Sequence, residues 1–207
     1  RQPLSPVLDV AALLQASQAI SRETELEALL KEMLRIVLQH SGADRAYLLL
    51  EDGGEWAVAA RGVIAAHGLE SRQLEWTPLG DCPELDTQVI EYVARTREAL
   101  VLDPVSEGKW VGLHDLHGEG RALALLCMPI MQGGKLTAIL YLENHRNVGV
   151  FTLQRTEVLK LLSTQMAISI QNAITYDRLR TANFELEGTV AETAVSLEQS
   201  RKEAAGA

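Results

Sequence analysis

Cysteine is scarce in this chain: Cys82 and Cys127 are the only two in 207 residues. Two thiols cannot build a disulfide framework or a four-ligand structural zinc site. Their scarcity fits a reducing compartment. Apolar runs are short: none reaches the 18 or so residues of a membrane-spanning helix, and no charged-then-apolar leader opens the chain. Basic charge is in deficit, with 19 Lys and Arg against 28 Asp and Glu, a net charge of −9. Nucleic acid and anionic membrane surfaces call for a basic patch, so neither is an expected partner. There is no internal repeat and no low-complexity tract. These absences lead to the expectation of a cytoplasmic protein. The chain opens on Arg1 and its final helical pattern runs to the end, so it is expected to be a segment of a longer protein.

What is present is enough apolar material for a core, 47% of residues, and one long helical pattern. From Leu153 to Ile174 that pattern is apolar on most sides, which calls for burial against something large. From Tyr176 the stripe narrows to heptad spacing, through Tyr176, Leu179, Asn183, Leu186, Val190, Thr193, Leu197 and Ser200. The seam carries polar members, and Gly188 costs about 1 kcal/mol in a helix interior. Asn at a seam position is nonetheless a residue type that fixes register and strand number. The spacing therefore predicts a helix that begins in a globular core and leaves it as one strand of a parallel, dimeric coiled coil.

Ahead of it, Val7 to Ile20 shows a weaker helical stripe. A strong helix spans Leu26 to Leu38, with Thr24 and Glu27 spaced as a capping box and Gly42 as terminator. Strands are predicted at Ala46–Glu51 and Glu55–Ala60 around the turn Asp52-Gly53-Gly54, and an irregular one near Gln73–Thr77. Thr87–Thr96 reads as a helix and Ala99–Leu102 as a short strand. The strongest hairpin joins Arg121–Met131 to Leu136–Asn144 through Gln132-Gly133-Gly134, and Thr152 is placed to cap the long helix. These elements predict an α+β fold: an antiparallel central sheet with helices packed on one face, flanked by an N-terminal helix over 1–23 and a coiled-coil linker over 176–207.

In that order and spacing, VIEYVARTREALVLD, RALALLCMPIMQGGKLTAILYLEN and FTLQRTEVLKLLSTQMAISIQNA resemble the helix–strand, central hairpin and closing helix of GAF domains. The resemblance covers about Leu26 to Ala173, so 24–175 is the expected domain. LYLEN followed by GVFT resembles GAF segments of bacterial sensor kinases. The resemblance implies a pocket between sheet and overlying loops, a sensing function, and a kinase or similar output domain on the C-terminal side. Some members reduce free methionine sulfoxide through thiols, for which Cys82 and Cys127 would be the candidates here, but no enzyme activity is expected of the segment itself. Some cyclic-nucleotide-binding members carry Asn-Lys, then Phe, then Asp-Glu. Here Asn144 and Phe151 match, but His145, Arg155 and Thr156 replace the rest. Cys82 precedes Pro83 and Cys127 precedes Met128, so the Cys-His pair of covalent bilin attachment is missing.

Candidate binding residues are Trp76, Trp110, His114, Arg121 and Tyr141, aromatics and polar groups of the kind a small-ligand cleft offers. Tyr141 fits a core position equally well. Arg121 would supply fixed positive charge, favouring a small anionic ligand. Asp103 to Gly120 is long and irregular for a connection in a compact domain, which suggests a loop over the pocket. His114 and His117 have a metal-sharing spacing, but no third ligand is evident, so no metal and no cofactor is expected. Asp81 and Glu84 beside Cys82 would raise its pKa, which argues against a thiol enzyme. The expected partners are a second copy of the chain, a small molecule and an output domain.

Overall fold

The structure, a computed structural model, describes residues 15–20, 25–65, 68–103 and 122–205. Strands β1 (Arg45–Asp52), β2 (Glu55–Ala65), β3 (Gly68–Pro78), β4 (Leu100–Leu102), β5 (Ala124–Gln132) and β6 (Lys135–Asn144) form one sheet. Its order is β3-β2-β1-β6-β5-β4, with every neighbouring pair antiparallel. Helices α1 (Leu26–Ser41), α2 (Thr87–Thr96) and α3 (Leu153–Ala205) complete the fold. The α+β architecture expected from the sequence is what the chain adopts.

Both tight hairpins follow from their glycines. Gly53, Gly54, Gly133 and Gly134 all take positive φ, which a two-residue turn matched to sheet twist needs at both central positions. The sheet then alternates. Ala46, Leu48, Leu50, Ala138, Leu140 and Leu142 turn to one face, where they join Leu30, Met33, Leu34 and Val37 of α1 and Leu159, Leu162, Met166 and Ile170 of α3 in one buried cluster. Ala16 and Ile20, in the helical residues 15–20, are buried in the same cluster. Tyr47, Leu49, Ile139 and Tyr141 turn the other way and meet Val89, Ile90 and Val93 of α2. The two long helices thus share one face, and the short helix covers the other.

Several boundaries differ from the sequence reading. The N-cap of α1 is Glu25, with no side-chain cap bond; Thr24 lies outside the described residues, and Glu27 instead pairs with Lys31 one turn on, at 2.7 Å. Strand β2 runs five residues past Ala60, and β3 begins at Gly68 rather than near Gln73. Charged residues and a glycine interrupt the apolar alternation there, but pairing to β1 holds the backbone extended. Gly42 ends α1 with φ 81°. At the start of α3 the Thr152 hydroxyl accepts from the Arg155 N–H at 3.4 Å, as a cap should. No helix among the described residues is long and apolar enough to cross a membrane.

Candidate functional site

The face under α2 is apolar over most of its area and polar at one end. Register explains why: Tyr47 of β1 stands opposite both Arg61 of β2 and Tyr141 of β6, and Arg45 stands opposite Glu143. The rings of Tyr47 and Tyr141 meet edge to face, with centroids 6.0 Å apart. The Arg61 guanidinium carbon lies 5.6 Å from the centre of the Tyr47 ring. Tyr141 is core, and its hydroxyl accepts from the Asp86 N–H at 3.2 Å. Asp86 in turn caps α2, its carboxylate accepting from the N–H groups of Gln88 and Val89. One ring therefore ties the sheet to the start of α2.

Tyr47 has no such partner. Among the described residues its hydroxyl and the Nε of Arg61 are buried and unpaired, although an unsatisfied buried group typically costs about 1–3 kcal/mol. Glu84, from the loop ahead of α2, reaches Arg61 only at 3.9 Å, with both side chains well exposed. Burial, and after it the carboxylate of Glu143, push the Tyr47 hydroxyl above its ordinary pKa. Glu143 is itself buried, which raises its pKa against the opposing pull of His145 and Arg45.

Glu143 also belongs to a polar corner where α1, β1, β6 and the approach to α3 converge. The buried carboxylate of Asp44 accepts from the His145 backbone N–H at 2.9 Å and lies 2.9 Å from its ring Nδ1. The other ring nitrogen lies 3.6 Å from Glu143. Asn144 donates to the Gly42 carbonyl at 2.7 Å and accepts from the N–H groups of Arg146 and Asn147. Arg155, in the first turn of α3, donates to the Val150 carbonyl at 2.9 Å and lies where a side chain on Gly42 would go. The corner joins the sheet to the long helix.

Cys82 and Cys127 are both free and buried under α2. Burial, with Glu84 and Asp81 adding to it, raises the Cys82 thiol; at Cys127 burial is again the largest cause and raises the thiol well above its ordinary range. Neither is poised as a thiolate nucleophile. Among the described residues no cluster of His, Cys, Asp and Glu could hold a metal.

Of the residues singled out in the sequence, Trp76 is half-buried against the α1–α3 core, whereas Tyr141 lies on the opposite face. The structure does not bring these two together. Trp110, His114 and Arg121 lie outside the described residues. Sequence reasoning missed Tyr47, Arg61 and Glu143. Tyr47 was hidden in the apolar run AYLLL, and Arg61 fell beyond the predicted end of its strand. A charged residue on the inward side of an extended β2 was the available signal.

The long helix forms the second element of the site. Its first half buries Leu159, Leu162, Met166, Ile170 and Ala173. On the reverse side Leu161 is 65% exposed, Leu179 58%, Leu186 62% and Val190 66%. At 100° per residue these four, with the partly exposed Ile168, fall within about 20° of one line along the helix. Tyr176 and Asn183 flank the line and are exposed too; the Leu197 side chain lies outside the described residues. The apolar stripe expected from Tyr176 onward thus begins about four turns earlier, at Leu161 within the domain.

The model of the GAF domain family matches residues 25–170, well over half of the chain. The chain belongs to the GAF family. Among curated proteins, this GAF domain is 34% identical over 85 residues to hybrid signal transduction histidine kinase G of Dictyostelium discoideum, a match covering 41% of the chain and 2% of the kinase. It is 24% identical over 184 residues to the peroxide stress-activated histidine kinase mak3 of Schizosaccharomyces pombe, covering 85% of the chain and 7% of that protein. The chain thus spans a small fraction of the length of either kinase. Among solved structures, the GAF domain of a phosphoenolpyruvate-protein phosphotransferase from Coxiella burnetii superposes with a TM-score of 0.61 at 22% identity, over 84% of this chain and 99% of that one. A GAF domain is a small-molecule-sensing and regulatory module, and both of these curated relatives are histidine kinases.

Proposed function

We propose that this GAF domain senses a small molecule within a multidomain cytoplasmic histidine kinase and passes its bound state along a pair of helices to the output module. The observation that carries the reading is the double role of α3. One side of its first half is part of the domain core, and the opposite side starts an apolar stripe that continues past the domain. A second copy in parallel would cover that stripe along its length, in a two-fold arrangement. Any shift of the sheet or of the corner at Asp44 and His145 would then be felt in the helix pair. A ligand moves such a pair only through its differential affinity for two arrangements.

The test is direct. Protein purified from its own host is examined by native mass spectrometry for a retained small molecule. Hydrogen exchange over residues 176–190 is then compared with and without it. Retention together with altered exchange supports the proposal. Retention with no change there would contradict the relay, and no retained molecule would favour a pure dimerisation module.

A further inference from the structure

The two orphaned donors under α2 are neighbours. Tyr47 Oη and Arg61 Nε have no partner among the described residues, and they stand on paired positions of β1 and β2. Tyr47 is 1% exposed, so bulk water does not satisfy its hydroxyl. Arg61 is held by its stacking over the Tyr47 ring and by a loose approach to Glu84, which leaves its Nε–H free to donate. The Arg61 Nε–H can only donate and the Tyr47 hydroxyl can donate beside it, so an acceptor oxygen satisfies both at once. The fixed charge of Arg61 favours an oxygen that is anionic.

The surroundings narrow the class. Glu143 lies diagonally across from Tyr47 on the adjoining strand and the same face, positions about 7–8 Å apart and within reach of long side chains. Its carboxylate is buried. Glu84 stands on the other flank. Two carboxylates beside two donors would repel a polyanion such as phosphate. They suit a single carboxylate with a hydrogen-bond donor or cation next to it. We propose that Tyr47 and Arg61 hold the carboxylate of a small amino or hydroxy acid whose amino or hydroxyl group is turned toward Glu143. This assignment rests on the sensor reading above and adds the chemical class of the ligand and the residues that select it.

The test is calorimetric titration of the intact chain with free amino acids, lactate and related hydroxy acids, propionate as a carboxylate lacking the donor, and inorganic phosphate. The expected result is that an amino or hydroxy acid binds, at least about tenfold more tightly than its donor-free analogue. Tyr47→Phe and Arg61→Gln should each weaken it by about tenfold or more. Tyr47→Phe keeps the ring and removes a hydroxyl without a partner, so the melting temperature of the ligand-free variant should not fall. The assignment is overturned if no acid in the series binds, if phosphate or propionate binds best, or if both variants bind as the wild type does. A drop in melting temperature for Tyr47→Phe would also overturn it, by showing the hydroxyl engaged without ligand. If a neutral molecule retained from the host binds Arg61→Gln undiminished, this assignment fails while the sensor reading stands.

Discussion

The two halves of α3 are built from similar residues and live in different surroundings. Between Leu153 and Ile174 the helix hides Leu159, Leu162, Met166 and Ile170 at about 1% exposure or less; between Tyr176 and Val190 every residue is exposed. The first half is held by what it packs against. Among the described residues the second has its own backbone hydrogen bonds and local side-chain bonds such as Thr181 to Asp177 and Thr189 to Glu185. Isolated helices owe little of their stability to propensity alone, and most comes from packing of an apolar face. Packing within the described chain therefore explains the apolar residues of the first half and leaves those of the second half uncovered.

The sharpest way to break this contrast is to put the same change in both halves. Leu162→Ala removes a core side chain and should cost about 2–5 kcal/mol in urea unfolding. Leu179→Ala, measured where the chain is monomeric, should stay within about 0.5 kcal/mol of wild type. Equal costs would show that the second half folds back onto the domain. Association should respond the other way. Leu186→Lys sets two ammonium groups across the proposed seam and should raise the dimer dissociation constant by about tenfold or more, leaving the unfolding transition of the domain in place; analytical ultracentrifugation checks this.

A smaller effect is expected where the helix meets the sheet. At Gly42 the backbone has φ 81°, and an added Cβ would run into the Arg155 guanidinium. Gly42→Ala should destabilise the domain by about 1–2 kcal/mol in thermal unfolding, the usual left-handed penalty, without weakening association in proportion. The smallest effect is a pH dependence. Burial raises the pKa of Glu143 from its ordinary 4.5, so the folded state binds its proton more tightly than the unfolded chain. The stability tied to that proton is complete below about 4.5 and is lost as pH rises through the higher folded value. Glu143→Gln should therefore gain stability relative to wild type between pH 4 and 7, as followed by urea unfolding across that range. A constant difference over the window would remove Glu143 from the account.

Much of the fold was legible because its signals are local. The 3.6-residue stripe of Leu26–Leu38, the turns at Gly53-Gly54 and Gly133-Gly134, and the apolar run Ala122–Met131 each point to one element. The ends of β2 and the start of β3 were hidden because Arg61, Glu70, Arg72 and Glu75 break the alternation, and only pairing across the sheet keeps that stretch extended. The candidate site was less legible still. Tyr47 and Arg61 are 14 positions apart and meet through strand register, and their two unpaired polar atoms have no trace in composition or spacing. Glu143 and His145 are close in sequence, but their partner Asp44 lies 101 residues from His145.

In the proposed relay the exposed stripe of α3 is covered by a second copy of the same chain. Sedimentation equilibrium of the wild-type chain from about 1 to about 100 μM, a range spanning micromolar association, tests it most directly. The expected result is a reversible approach to twice the chain mass, reached well below the upper concentration. A single species of monomer mass throughout would contradict it.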